Sequence, residues 1–386
     1  MVQRIGLVGC GVISGIYLHN APLFRDIRFT ACADMRPEAA RARAEEYGLR
    51  ALTLDELYRS DEVDIVLNLT NPDAHAEVAL KALDAGKHVY GEKPLATSLA
   101  DGRAIVDLAA RRGLRVGSAP DTVLGPGTQT CRRLIEDGTV GEIMSGVASI
   151  MSRGMENWHP APGFYFRPGG GPVLDMGPYY IGALVMLLGP VAKVVSAGRV
   201  GLPERIVSAE GPNLGQRIVP EVQTTIHSIL TFASGAQVTL LASWDVWNHA
   251  HRPIELHGVN ASLRVPDPNF MDGRTEIATN RESWETVATG DSLYSRPNYP
   301  FAAPIYANYR GLGLAEMAAA IEAGRPHRAN GDWAFHTLDV MLAILRSAEE
   351  ERAIAIGSRC AVPAALSPAE ADSLLAGDGS EARRSA

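Results

Sequence analysis

Residues 5–14 read Ile5-Gly6-Leu7-Val8-Gly9-Cys10-Gly11-Val12-Ile13-Ser14, a short apolar run that breaks into spaced glycines. Four mostly apolar residues ended by glycine suit a buried strand. A helix is expected to follow, from about Ser14 to Phe24. Gly9 permits a tight turn between the two, and Gly11 carries no side chain to block a pyrophosphate. The N–H groups around Val12 and Ile13, at the helix N-terminus, are then free to hold phosphates. The third glycine position of such a turn is Ser14, with Gly15 next. Residues 5–18 follow Arg4 and have the length of a secretory h-region. Gly6, Gly9, Gly11 and Gly15 are poor for that helix and fit the nucleotide turn better.

The pattern continues outward in alternation. Strands are expected at Phe29–Ala33, Ile65–Leu69, His88–Gly91 and Leu114–Gly117. Helices are expected at 37–47, from Thr53, at 74–85 and at 98–112. Thr53 and Glu56 form a capping box. Pro37 is a favoured first helical residue, and Gly48, Gly86 and Gly113 stop their helices. This βαβ rhythm predicts a doubly wound parallel sheet over residues 1–120, a Rossmann domain that binds ligands at the carboxyl ends of its strands. Asp34 ends the second strand, about 20 residues past the glycine turn, where an acid accepts hydrogen bonds from a ribose. An acid there repels a 2′-phosphate, so NAD is expected over NADP. Arg36 suits either a phosphate contact or a cover over the adenine, and Asp34 also suits a solvated helix cap.

After residue 120 the rhythm changes. Longer alternating strands are expected at 143–150, 225–233, 236–244 and 254–265, with a hairpin turn at Ser234-Gly235. One apolar helix, Asp175–Leu188, lies among them, and helices at 311–322 and 333–350 close the fold. Residues 121–365 are therefore expected to form an α+β domain with an open, largely antiparallel or mixed sheet. The segment 366–386, rich in Ser, Ala, Glu and Gly, is expected to be a partly disordered tail.

Composition sets the class. Hydrophobic residues make 46% of the chain, charged residues 21%, and the net charge is −8. This is a globular balance. No basic patch with interleaved aromatics points to nucleic acid, and no apolar run is long enough for a membrane span. Cys10, Cys32, Cys131 and Cys360 are scattered, so a reducing, cytoplasmic setting without disulfides or zinc is expected.

The chemistry centres on Glu92-Lys93-Pro94, just past a strand end where a nicotinamide would lie. Oxidising an alcohol needs a group to move the hydroxyl proton while hydride leaves carbon. A lysine near a cationic ring is expected to have a lowered pKa and to serve as acid or base. An ordinary surface lysine is the other reading.

Gly9-Cys10-Gly11-Val12-Ile13-Ser14, Thr70-Asn71-Pro72 with His75, Glu92-Lys93-Pro94, and Gly169-Gly170-Gly171-Pro172-Val173-Leu174-Asp175-Met176-Gly177 together resemble the glucose–fructose oxidoreductase/inositol dehydrogenase (Gfo/Idh/MocA) family. The resemblance implies a Rossmann domain followed by a second domain that often forms the oligomer interface, hence a homo-oligomer. It implies that Lys93 bridges substrate and nicotinamide, and that Thr70, Asn71, His75 and Glu92 line the cofactor. The family's lysine works with an Asp and a His four residues apart on one helix. Asp175 matches the Asp, but Tyr179 stands at the His position. Residues i and i+4 share a helix face, so Asp175 and Tyr179 both suit the cleft. Histidine titrates near neutrality and tyrosine near ~10, so Tyr179 reads either as proton donor or as hydrogen-bond partner. Asp175 also reads as a helix cap, Tyr179 as a core aromatic, and His75 as a helix-start residue packed on the sheet.

The loop Asn157-Trp158-His159-Pro160 to Tyr165-Phe166-Arg167 offers a second set. His159, Tyr165 and Arg167 are candidate contacts for a polyhydroxylated ring, with His159 a substitute imidazole or a loop residue satisfied by backbone. His227 and the Trp244–His251 turn are weaker candidates. No spacing supports a metal. The expected function is NAD-dependent oxidation or reduction of a sugar, glycoside or inositol carbon. The alternatives are a redox-neutral enzyme that retains NAD and a non-catalytic NAD- or sugar-binding regulator.

Overall fold

A computed structural model describes residues 2–377. The first part carries strands β1 (Gln3–Val8), β2 (Ile27–Ala33), β3 (Arg50–Ala51), β4 (Ile65–Asn68), β5 (His88–Gly91) and β6 (Val116–Ser118). Between them run helices α1 (Ser14–Asn20), α2 (Pro37–Tyr47), α3 (Leu54–Arg59), α4 (His75–Asp84) and α5 (Leu99–Arg112). The strands are all parallel, in the order β3-β2-β1-β4-β5-β6. Strand order reverses between β1 and β4, which opens a crevice at their carboxyl ends. Ile65, Val66 and Leu67 are all fully buried. A strand apolar on both faces needs cover on both, and each such side chain contributes about 1.5–3 kcal/mol.

The second part begins with α6 (Pro126–Glu136), β7 (Ile143–Met151), α7 (Pro172–Leu188) and β8 (Val191–Arg199). A small hairpin, β9 (Arg205–Ile206) with β10 (Arg217–Ile218), precedes β11 (Thr225–Phe232) and β12 (Gln237–Ser243). Then come β13 (Ile254–Gly258), β14 (Ser262–Val265), β15 (Thr275–Ala278) and β16 (Glu285–Val287). The chain ends with α8 (Leu312–Glu322), α9 (Gly331–Glu350), β17 (Ile354–Ala355) and α10 (Pro368–Ser373). Nine strands form one mixed sheet, β16-β15-β14-β13-β7-β12-β11-β8-β17, antiparallel except where β7 meets β12. Helices α7 and α9 cover one face. On the other, Val147, Val195, His227 and Ile229 are exposed, in the alternation expected of a half-covered sheet.

Helix ends follow their sequence signals. Thr53 and Glu56 make both bonds of the capping box, and Gly48 and Gly113 are left-handed C-caps. Two expectations are corrected. The strand read as 254–265 is two strands, because Gly258 to Ala261 turn the chain. The helix read from Asp175 starts at Pro172, so Gly171 is the cap and Asp175 sits in the first turn. Of the segment from 366, expected to be partly disordered, residues 367–377 are held against the fold. Ser367 and Glu370 cap α10, Leu374 and Leu375 are buried, and Ala376 N–H donates to the Leu23 carbonyl. The rest of that expectation, residues 378–386, lies outside the described residues. Among the described residues no helix is long and apolar enough to cross a membrane.

Candidate active site

The dinucleotide turn is built as the glycine spacing requires. Gly9 has φ +97°, and a Cβ there would lie 2.6 Å from the Leu69 carbonyl oxygen. Gly11 is different, since a Cβ would meet nothing within 4 Å. Space is therefore open above the turn, as a pyrophosphate needs. Val12 is almost wholly exposed and Ile13 partly so. Ser14 takes the third glycine position by donating its hydroxyl to the Gly11 carbonyl at 2.6 Å. Arg43, which the motif reading missed, braces the turn through Ser14 Oγ at 3.0 Å. Asp34 Oδ2 accepts the Cys10 N–H at 2.8 Å and Oδ1 accepts the Arg36 N–H at 2.9 Å. Each oxygen keeps a lone pair for a ribose hydroxyl. The Arg36 side chain is exposed, with Nε 3.9 Å from Asp34.

Farther along the crevice, Asn71 is exposed and Thr70 donates its hydroxyl to Asn68 Oδ1 at 2.6 Å. His75 is buried at the start of α4. Its Nδ1 lies 2.6 Å from the Pro94 carbonyl and Nε2 3.0 Å from that of Thr70. It ties the Thr70 loop to the turn after Lys93 and does not reach the cleft as a free imidazole.

Lys93 leaves the end of β5 and meets the first turn of α7. Its Nζ donates to the Asp175 backbone oxygen at 2.8 Å and to Asp175 Oδ1 at 3.1 Å. The same Nζ lies 5.1 Å from the centre of the Tyr179 ring, within cation–π range. The expected lowering of its pKa is corrected for the protein alone. Burial acts to lower it, but Tyr179, Asp175 and Glu92 outweigh burial and hold it above the ordinary lysine value. Lys93 is therefore an ammonium at neutral pH.

The glycine run brings the 157–167 loop to this pair. Gly171 N–H donates to the Tyr165 carbonyl at 2.8 Å, and a Cβ on Gly170 would overlap that carbonyl. Tyr165 is half-buried and its hydroxyl is pushed up by burial first and Asp175 second, which puts it within the field of the Lys93 cluster. His159 packs edge-on against Tyr165 with centroids 5.5 Å apart, and its Nδ1 accepts the Ala161 N–H. The fold thus sets His159 behind Tyr165, with no bond to Lys93 or Asp175. Arg167 is exposed. His227, His249 and His251 lie on the open face of the nine-stranded sheet or beside it, where His249 and His251 border a depression with Arg252, Glu255 and Arg264.

Further residues at the site escaped the sequence reading, among them Tyr17, Asp121, Asn308 and Arg310. Glu92 Oε1 accepts the Tyr17 hydroxyl at 3.0 Å and lies 3.4 Å from Arg310 Nε. Asp121 is buried, bonded to the Tyr90 hydroxyl and to the Gly311 N–H. Arg310 and Asn308 reach the carboxyl end of β5 from the far end of the second part. With Glu92, Asp121 and Tyr179 they line a cavity of about 170 Å³. Glu92 is thus committed to holding Tyr17 and Arg310, and the short polar motif around it carried no sign of partners 75 and more positions away.

Comparison with known proteins agrees with this geometry. Residues 3–119 match the model of an oxidoreductase family with an NAD-binding Rossmann fold, and residues 128–264 match the GFO/IDH/MocA C-terminal domain. The chain is 26% identical over 356 residues to an inositol 2-dehydrogenase of Rhizobium meliloti (strain 1021), covering 92% of this chain and 100% of the relative. It is 28% identical over 358 residues to a myo-inositol 2-dehydrogenase of Thermotoga maritima, covering 91% and 98%. A levoglucosan dehydrogenase solved in its apo form shares the fold with a TM-score of 0.78 at 20% identity, covering 93% of this chain and 100% of that one. The glycine turn, the parallel six-stranded sheet and the two successive domain matches lead to one assignment: the chain belongs to the GFO/IDH/MocA family of oxidoreductases, with an NAD-binding Rossmann domain at its N-terminal end.

Proposed function

We propose that this oxidoreductase is a dehydrogenase that moves hydride between NAD and a secondary alcohol or ketone carbon of a polyhydroxylated ring, a sugar or an inositol. The observation that carries the reading is the meeting of Lys93, Asp175 and Tyr179 at the carboxyl edge of β5. The similar inositol dehydrogenases point to the same substrate class.

Bound NAD supplies the hydride acceptor. Gly9, Gly11, Val12 and Ile13 would hold its pyrophosphate and Asp34 its ribose, while Thr70, Asn71 and His75 shape the wall toward the nicotinamide. Lys93, held as an ammonium, stabilises negative charge on the substrate oxygen as its proton leaves. Asp175 fixes Lys93 and keeps a lone pair for a substrate hydroxyl. Tyr179 lies on the same helix face, with Lys93 over its ring, and passes the hydroxyl proton toward solvent. Tyr165 is the candidate partner for a ring hydroxyl, with His159 packed against it as a positioning residue. Arg167 is exposed and makes no bond to Lys93, Asp175 or Tyr179. The uncovered face of the nine-stranded sheet is the natural seat for a homo-oligomer.

The test is incubation with NAD and a panel of inositols, aldoses and glycosides, following NADH absorbance. NADH forming with one substrate class and vanishing in Lys93→Met supports the reading. Silence across the panel with NAD firmly bound would replace it with the redox-neutral or regulatory alternative.

A further inference from the structure

The cavity beside Tyr179 holds a donor that the protein itself does not use. Arg310 lies just before α8, and its backbone is fixed from the cofactor side. Asn20, the last residue of α1, donates its amide to the carbonyls of Asn308 at 2.9 Å and Arg310 at 3.1 Å. Asn298 closes the same network, accepting the Asn308 N–H at 2.6 Å. The Arg310 side chain is three-quarters buried, at 25% exposure. Its Nε faces Glu92 Oε1 at 3.4 Å, and Nη1 donates to Asn308 Oδ1 at 3.1 Å. Nη2 has no protein partner among the described residues. Glu92 is itself anchored by the Tyr17 hydroxyl and the Lys93 N–H, so the pair is rigid.

A guanidinium presents five N–H donors in one plane, spaced to meet two adjacent oxygens. Here two directions are spent and a free edge lines the cavity with Tyr179, Asn269 and Asn308. That edge is open to the cavity, where a ligand's acceptors can reach it. Lys93 and Arg310 offset Glu92 and Asp175, and Asp121 adds a third acid to the wall, so acids outnumber cations. A further anion would be disfavoured, whereas neutral oxygen acceptors fit.

We propose that Arg310 is a substrate-binding residue whose free N–H edge donates to two adjacent hydroxyl oxygens of a neutral polyhydroxylated ring, at carbons other than the one that reacts. The identity of that ring rests on the dehydrogenase reading above, but the free donor edge does not. The ligand class is therefore a ring bearing a vicinal diol beside the reacting carbon, and Arg310 sets which hydroxyl patterns are accepted.

Arg310→Lys tests this, because it keeps a cation against Glu92 and removes the planar fork. Two readouts are taken on the full-length protein: polyol binding to the NADH complex, followed by nicotinamide fluorescence, and steady-state kinetics with NAD. The panel is the inositols and aldoses, their single-deoxy analogues and the matching uronates. The expected result is a KM raised about 10- to 100-fold with kcat changed only a few-fold, and with NADH affinity unchanged. Deoxy analogues lacking one of the two contacted hydroxyls should lose affinity for the wild type and lose nothing more for the variant.

Three outcomes of the variant comparison overturn the proposal. One is equal KM for variant and wild type. Another is an equal penalty across all analogues, as a merely structural arginine would give. The third is lost NADH affinity with polyol binding intact, which would put Arg310 on the cofactor. Arginine-dependent binding of uronates alone would overturn the neutral-ring assignment. Polyols that bind through Arg310 but never turn over would sink the dehydrogenase reading and leave this one standing. If no polyol binds at all, both fall.

Discussion

Gly9 and Gly11 look equivalent in the motif, yet the structure separates their roles, and alanine at each tests that separation. At Gly9, alanine must adopt φ +97° and place a methyl 2.6 Å from the Leu69 carbonyl and 2.9 Å from the Thr70 nitrogen. The strained backbone alone costs about 1–3 kcal/mol. Relief of the clash would also pull on the Gly9–Ala33 and Leu69–Val8 bonds that join the ends of β1, β2 and β4, so the total reaches roughly 3–5 kcal/mol. At Gly11 the same methyl meets nothing within 4 Å, and folding should change by no more than about 0.5 kcal/mol. The methyl instead occupies the space through which the pyrophosphate approaches. A loss of about 1.4–2.7 kcal/mol, or 10- to 100-fold in Kd, is expected for NAD. Thermal melts without cofactor and fluorescence titration with NADH read the two effects separately. The account predicts a large drop in Tm for Gly9→Ala, and a normal melt with weakened NADH for Gly11→Ala. A Gly11→Ala variant that binds NADH as the wild type does would refute the reasoning.

Three further outcomes are expected. Asp34→Ala should narrow the preference for NAD over NADP in kcat/KM, since it removes the carboxylate that repels a 2′-phosphate; an unchanged ratio would show that Asp34 does not face the ribose. His327 is buried with Nε2 on the Val116 carbonyl and Nδ1 unpartnered, and burial pushes it from 6.5 down to about 4. The unfolded chain then binds the proton more readily, so stability present above about 6.5 is lost as pH falls toward about 4, by up to about 3 kcal/mol; urea unfolding across that window should be flatter for His327→Gln, and parallel curves would contradict it. Arg205, wholly buried, bonds Glu156 at 2.6 Å and also Asp245, so Arg205→Met should cost about 3–5 kcal/mol by stranding two acids, visible as a Tm drop that Glu156→Gln in the same chain partly restores.

The sequence made the cofactor half readable because its signals are local. Apolar tetrads, glycine stops and the Thr53 capping box each act within a few residues, and all six strands but β3 could be placed. At two residues, β3 is too short to show a period. In the second half, β8 was hidden because the run from Tyr179 to Val195 is largely apolar on both sides of Gly189-Pro190, and a strand that follows an apolar helix so closely shows no period of its own. The strands β13 and β14 were fused because the turn between them carries one glycine and no proline. Lys93, Asp175 and Tyr179 were legible through motif spacing, and the fold brings them together. Arg310, Asp121 and Tyr17 were not, since the bond from Gly311 to Asp121 spans 190 positions. No local pattern announces a contact that only the docking of α8 creates. The Lys93 pKa was misjudged because burial and a cationic ring were weighed, while Tyr179 and the acids Asp175 and Glu92, all present in the motifs, were not.

Transfer of deuterium tests the central claim most directly. A polyol deuterated at each ring carbon in turn would be incubated with the protein and NAD, and the nicotinamide product examined by mass spectrometry and proton NMR. The account predicts that label from one carbon appears at C4 of NADH, that the matching ketone forms in equal amount, and that Lys93→Met binds NAD yet transfers nothing. Reduced nicotinamide without label, or transfer undiminished in Lys93→Met, would contradict it.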